Sequence, residues 1–257
     1  MPHGMTWFDF ILPQLAQWRE QLQDAIGISY IEHAPISVQY VVGFAFISVL
    51  IALLVITART KFASIEKGLV PDDKLTLRTF FEMMVEGTLN TMDGIMSRRH
   101  AEFFLPLIGT CAFIIFFSNF LGLIPGFEPP TGNFNTTLAM AIVIFFTTHI
   151  YGLKENGFGY VAHFFGPIRK WYAFPFMLMM FAIEVVSHMS RPLSLGIRLA
   201  GNMFADHKVV ATFTLLVPIL LPVPMLLLGV LVCIVQVAVF CILSMVYIGM
   251  AVAHEEH

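Results

Sequence analysis

Along this chain the charged positions retreat four times for long intervals. Residues 33–58, 103–127, 129–153 and 209–254 contain no Asp, Glu, Lys or Arg. A helix needs roughly 20 apolar residues to cross the hydrocarbon of a bilayer, so each interval is long enough to hold a crossing. The apolar runs predict spans at about 37–58, 103–124, 136–153 and 225–253. Between the first two, "LRTFFEMMVEGTLNTMDGIM" (77–96) has a different texture. Leu77, Phe81, Met84, Val85, Leu89 and Met92 recur at helical spacing, while Glu82, Glu86 and Asp93 fall elsewhere on the wheel. That pattern predicts an amphipathic helix lying along the membrane surface.

The stretch 171–217 carries no convincing break except Pro175 and Pro192, and neither must end a membrane helix. A helix of that length would be about 70 Å long, more than twice the hydrocarbon thickness, so it must tilt strongly or bend. "VPILLPVP" (217–224) then makes an uncharged turn, and the last helix returns to the "HEEH" end. The expected fold is an all-α integral membrane protein with five transmembrane helices plus the surface helix, the last two crossings forming a long tilted hairpin. The expected domain plan is an external N-terminal segment, 1–36, followed by one helical membrane domain, 37–257.

Composition supports the class. Of the 257 residues, 58% are hydrophobic and only 12% charged, against about 25% charged in soluble domains. A β-barrel would need strands of about 10 residues with alternating polarity, and the apolar runs do not alternate. No basic segment followed by an uninterrupted apolar run opens the chain, so no cleaved signal is expected. Cys111, Cys233 and Cys241 lie inside apolar runs, without metal or disulfide spacing, and are expected as small core hydrophobes. No period of 20–50 residues signals an internal repeat.

The basic residues set an orientation. Arg59, Lys61, Lys67, Lys74, Arg78, Arg98 and Arg99 are half of the 14 Lys and Arg. Lys154, Arg169 and Lys170 follow the third span, whereas "PGFEPPTGN" after the second has one acid and no base. By the positive-inside bias, 59–99 and 154–170 face the cytoplasm or matrix, and 125–135 and the N-terminus face out.

One apolar stretch is interrupted by charge. Within "RPLSLGIRLAGNMFADHK" (191–208) stand Arg191, Arg198, Asp206, His207 and Lys208. At about 100° per residue, Glu184, His188, Arg191, Ser194, Asn202 and Asp206 all fall within about 80° of Arg198, whereas His207 lies nearly opposite. This polar stripe is expected to face protein or water. Arg191 and Lys208 lie where a long side chain can snorkel to an interface. His149, at a span end, and His163, in a loop, are expected to be structural. Arg198 is different, because a mid-bilayer arginine costs roughly 3 kcal/mol or more and calls for a function. Glu184 lies about 21 Å inward of it along the helix and His207 about 13 Å outward. Groups that can exchange protons thus flank one that cannot, since a guanidinium titrates only above about 12. The arrangement reads as a barrier between two access paths.

These residues resemble a known family, subunit a of the F-type ATP synthase. The resemblance rests on "EVVSHMSRPLSLGIRLAGNM" (184–203), on "QVAVF" from Gln236 and on the tail "VYIGMAVAHEEH". It covers the chain from the first span onward. It implies a proton-translocating stator subunit of a rotary ATP synthase, not an enzyme on its own, that provides two half-channels to a ring of c subunits. Arg198 matches the essential arginine facing the ring carboxylate, with Asn202 and Gln236 at polar positions near it. Glu184 and Ser187 match positions of the inner path, His207 a position of the outer path and Asn119 a commonly polar position; His188, which can equally be a packing histidine, and Asp206 are also expected on the proton path. The implied partners are the c ring, peripheral-stalk b subunits and the lipid bilayer, with H+ the transported ion and Na+ left open. No cofactor, metal or nucleic acid is implied. The expected location is a bacterial inner membrane, ahead of a mitochondrial one. Two positions depart from relatives: Gly229 stands where many carry a His or acid partnering position 207, and Gly122 where they often carry an acid. Asp206, Glu128 or water is then expected to complete the outer relay.

Two other classes compete. A secondary transporter would show two comparable halves with broken helices, and five crossings do not divide so. A haem-carrying respiratory subunit needs histidines facing each other from different helices, and only His149 and His188 lie in spans away from the outer end.

The orientation is directly testable. With Thr6→Cys, a membrane-impermeant thiol reagent should label from the outside only; labelling solely from the cytoplasmic side would overturn the topology.

Overall fold

The computed structural model describes residue 21 and residues 38–62, 77–124, 126–157, 159–160, 174–216 and 222–252. The predicted external segment 1–36 (residue 21 apart), the basic residues within 63–76, the turn at 217–221 and the "HEEH" end lie outside the described residues, as does His163. Six α-helices follow in order: α1 Val38–Phe62, α2 Leu77–Asp93, α3 Arg98–Gly122, α4 Phe134–Asn156, α5 Phe174–Leu216 and α6 Pro222–Val252. A 3-10 turn, Pro130–Gly132, stands between α3 and α4.

Four of these helices are long and apolar enough to cross a membrane: Tyr40–Thr57, Arg98–Gly122, Phe134–Asn156 and Val223–Val252. The remaining expected crossing, α5, is not in that set. Glu184, Arg191, Arg198, Asp206 and Lys208 spread along its 43 residues and break its apolar length. The same residues that single α5 out chemically therefore hide it from a hydropathy criterion. Prolines do not end these helices. Pro106 lies inside α3, where the Thr110 hydroxyl donates to the Pro106 carbonyl at 2.6 Å, and α5 runs through Pro192.

The described residues pack as two compact units. The first comprises Met1–Phe81, Phe113–Asn133 and Asn202–Val237. Here the loop after α3 folds back tightly, so that Pro130 comes within 3.1 Å of where a Cβ on Gly43 of α1 would stand. Pro129 closes on Gly122 at 2.7 Å from the equivalent point. Thr131 donates its hydroxyl to Asn119 Oδ1 at 2.6 Å, with both residues buried. Between lipid tails helices gain little from hydrophobicity, so close approach at small residues and interhelical hydrogen bonds hold them together.

The second unit comprises Glu82–Ala112, Phe134–Gly201 and Ala238–His257. Its core holds Phe104, Ile108, Ile144, Leu199, Phe240 and Ile248, each no more than 2% exposed. Phe104 meets Tyr151 edge-on at a centroid distance of 5.0 Å. At Gly196 the backbone of α5 approaches that of α4, with Leu138 Cα 3.3 Å from a hypothetical Cβ. α4 ends at Gly157, whose φ of +55° is the left-handed conformation that stops a helix, and whose N–H donates to the Leu153 carbonyl at 2.8 Å. Just before it, the Asn156 amide donates to the Ala251 carbonyl of α6 at 2.9 Å.

Candidate functional site

In the second unit the early part of α5 places Glu184, His188 and Arg191 one turn or so apart. His188 is buried, and its Nε2 lies 3.1 Å from Glu184 Oε1. Ser187 is half-buried, its carbonyl accepting from Ser190 at 2.7 Å. From α4, His149 brings its ring to 5.0 Å from that of His188, centroid to centroid. Tyr160 closes the line with its hydroxyl 2.6 Å from His149 Nδ1. Gly152 makes this possible, because the Tyr160 ring lies only 2.8 Å from where a Cβ at that position would be. Burial, the largest influence, raises the Tyr160 hydroxyl above its ordinary range and so keeps it protonated; Arg191 lowers it and Glu184 raises it further. Arg191 sits over the Tyr247 ring of α6 at 5.4 Å, a cation–π contact. His149, His188, Arg191 and Tyr247 line a small, partly open cavity, large enough for one water, together with Ile144, Phe145 and Leu195.

In the first unit the second half of α5 meets α6. Asn202 Nδ2 donates to Gln236 Oε1 at 2.7 Å, and Gln236 is buried. Two turns earlier on α6, Gly229 is where the Asp206 carboxylate comes to rest. Asp206 Oδ2 lies 3.0 Å, and Leu123 Cδ2 2.7 Å, from the point a Cβ at 229 would occupy. The pairs 202·236 and 206·229 run in opposite senses, so these stretches pack antiparallel. Pro129 thus fills the side-chain space at Gly122, and Asp206 with Leu123 fills it at Gly229. Asn119 is buried; its Nδ2 and the hydroxyl of Ser118 have no hydrogen-bond partner among the described residues. His207 is half-buried, Glu128 likewise, and Lys208 lies over the Phe204 ring at 5.5 Å.

Arg198 stands apart. It is exposed, and among the described residues no carboxylate of the chain pairs with it. On nearby turns of α5, Val186, Met189, Leu193 and Ile197 are all about half exposed or more.

Of the residues singled out by sequence, the structure brings together Asn202 with Gln236 and Glu184 with His188. His149 and Tyr160 join the inner cluster although the sequence reading left His149 structural and passed over Tyr160. The small residue at Gly152, three positions after a histidine in an apolar run, was the available signal for a ring packed there.

Apolar helices long enough to span a bilayer, with one long helix carrying ionisable residues, define a multi-pass helical membrane protein. The family described as ATP synthase A chain matches residues 42–249, and this chain belongs to it. It is similar over its whole length to ATP synthase subunit a of Sorangium cellulosum, 40% identical across 260 residues that cover all of both chains. It is 46% identical to ATP synthase subunit a of Geobacter sulfurreducens over 172 residues, 67% of this chain and 72% of the relative. The subunit a of Trichlorobacter lovleyi is 49% identical over the same shares.

The Asp206–Gly229 packing makes a paired prediction. Gly229→His alone overpacks the site by about 1–3 kcal/mol and displaces the carboxylate, so ATP-driven proton pumping in vesicles should fall. Adding Asp206→Gly should make room and restore much of it. A double variant no better than the single would show that the carboxylate does not fill that space.

Proposed function

We propose that this chain is the stator subunit of a rotary ATP synthase, passing protons to and from a ring of c subunits through two half-channels kept apart by Arg198. The observation that carries the reading is the Arg198 guanidinium, exposed on a face flanked by apolar side chains, with no carboxylate paired to it among the described residues. A fixed charge on such a face is costly unless a partner brings an opposite charge to it. A carboxylate on a membrane helix of the ring answers that need, and rotation presents a fresh one at each step. Membership of the family supports the same assignment: the chain is a non-catalytic membrane subunit of an ATP synthase complex.

On this reading Glu184, Ser187 and His188 serve the inner half-channel. Asp206 and His207 serve the outer one, with Asn119, whose buried amide nitrogen is a donor that such a path can use. Asn202 and Gln236 hold each other beside the arginine and fix the local backbone against which the ring slides. The peripheral-stalk b subunits keep the chain from turning with the ring, and the bacterial inner membrane is its place. The ion is H+, because the titratable groups on both sides are carboxylates and imidazoles. The haem-carrying alternative needs a slot between His149 and His188, and the space there is large enough only for a single water.

Lysine is a compact point charge without the planar fork that meets two carboxylate oxygens, and it releases its proton more readily when buried. Arg198→Lys should therefore reduce ATP-driven pumping about a hundredfold or more. Arg198→Ala should do the same and also let protons pass the membrane sector passively under an imposed potential. Near-native pumping by Arg198→Ala vesicles contradicts the stator reading.

A further inference from the structure

His149 and His188 come from different helices, yet their rings lie 5.0 Å apart beside a small, partly open cavity large enough for one water. Each ring is tied at its far side: His188 Nε2 to Glu184 at 3.1 Å, and His149 Nδ1 to Tyr160 at 2.6 Å. A purely structural histidine pair would satisfy itself within the core. Here the hydrogen bonds lead away from the cavity in two directions, one along α5 and one to the residues that follow α4. Arg191, the fixed charge bordering the same cavity, is held by Tyr247 and forms no ion pair with Glu184 among the described residues. Glu184 is therefore left to the imidazole.

The structure assigns His149 and Tyr160 to the inner half-channel as a second branch, in which one water in the cavity hands protons between His188 and His149. This rests on the stator reading above and extends it to two residues. His149 Nε2 takes a proton from the water as the proton on Nδ1 passes to the Tyr160 oxygen, so the ring is neutral before and after the transfer. Tyr160 in turn releases its own hydroxyl proton to water at the inner surface. No electron moves: the water replaces the proton it gave with one from His188, His188 is reprotonated from the ring side of the path, and His149, left with its proton on Nε2, turns its ring to restore the Nδ1–H tautomer before the next transfer. Run backwards, the same hops admit protons. An imidazole suits this work because its two nitrogens can accept and donate at once near neutral pH. The tyrosine hydroxyl, kept protonated by burial, both accepts and donates without ionising. Glu184, on the other side of His188, serves the first branch.

The test uses the whole synthase in vesicles, with passive proton flux through the membrane sector measured under an imposed potential after the ATP-hydrolysing sector is stripped off. His149→Gln retains a hydrogen-bonding side chain towards Tyr160 but cannot titrate, and should cut the flux about tenfold. His149→Ala should cut it similarly, and added imidazole, which fits the space vacated, should restore it. His149→Phe fills that space, so imidazole should not rescue it. The amount of assembled complex is measured for each variant. Native flux in His149→Gln overturns the proposal, and so does a loss in His149→Ala that imidazole leaves unchanged, since a packing role gives no rescue. Arg198→Ala, assayed for ATP-driven pumping in unstripped vesicles, separates the two readings. If it pumps normally the stator reading itself fails; if it does not pump while His149→Gln conducts normally, only the second branch falls.

Discussion

An exposed guanidinium that no carboxylate pairs with among the described residues, on the polar stripe of a long membrane helix, is the constraint around which the account of this molecule is arranged. Its cost in lipid is roughly 3 kcal/mol or more, and no carboxylate among the described residues offsets it. The face that carries it is left uncovered, with Leu193 and Ile197 each about half exposed beside it. The buried side of α5, Leu195, Gly196 and Leu199, is meanwhile packed against the protein. The helix therefore has one side committed to this chain and one side that fits a partner. Proton-exchanging groups then lie to either side of the arginine along the helix and not at it, as a barrier between two paths requires.

Small residues set how finely those groups are placed. Gly152 lets the Tyr160 ring down onto α4, and Gly196 lets α5 and α4 approach at backbone distance, which brings His188 to His149. Gly229 does the same for the Asp206 carboxylate. In each case a missing side chain on a helix is what admits a group packed closely against it. A membrane interior offers weak hydrophobic force between helices, so such steric fits and a few hydrogen bonds carry the specificity.

Much of the helical plan was legible because lipid imposes it. Charge-free intervals mark α1, α3, α4 and α6, and the 3.6-residue pattern marks α2. α5 was found from its lack of breaks, despite charges that keep it from qualifying by hydropathy. The polar stripe was also legible, since residues on one helix have fixed relative positions; the Glu184–His188 contact is of this kind. Contacts between helices were not. His149 lies about 10 Å from the end of α4 and His188 about 21 Å from the start of α5, and counting along each helix would not match them. A helix of 43 residues exceeds the bilayer thickness, so position along it does not give depth. The compensation at Gly122 and Gly229 was equally hidden, because a residue can be seen to be missing from a sequence while what fills its place cannot.

The central claim, that the face bearing Arg198 is covered by a carboxylate-bearing helix of a partner, is tested most directly by cross-linking in the assembled complex. Ile197→Cys lies next to the arginine on that face, and Val143→Cys, on exposed α4, serves as the comparison. With a cysteine placed one turn from the ring carboxylate, mild oxidation should join Ile197→Cys to the ring and leave Val143→Cys alone. Cross-linking at Val143 but not at Ile197 would contradict the account.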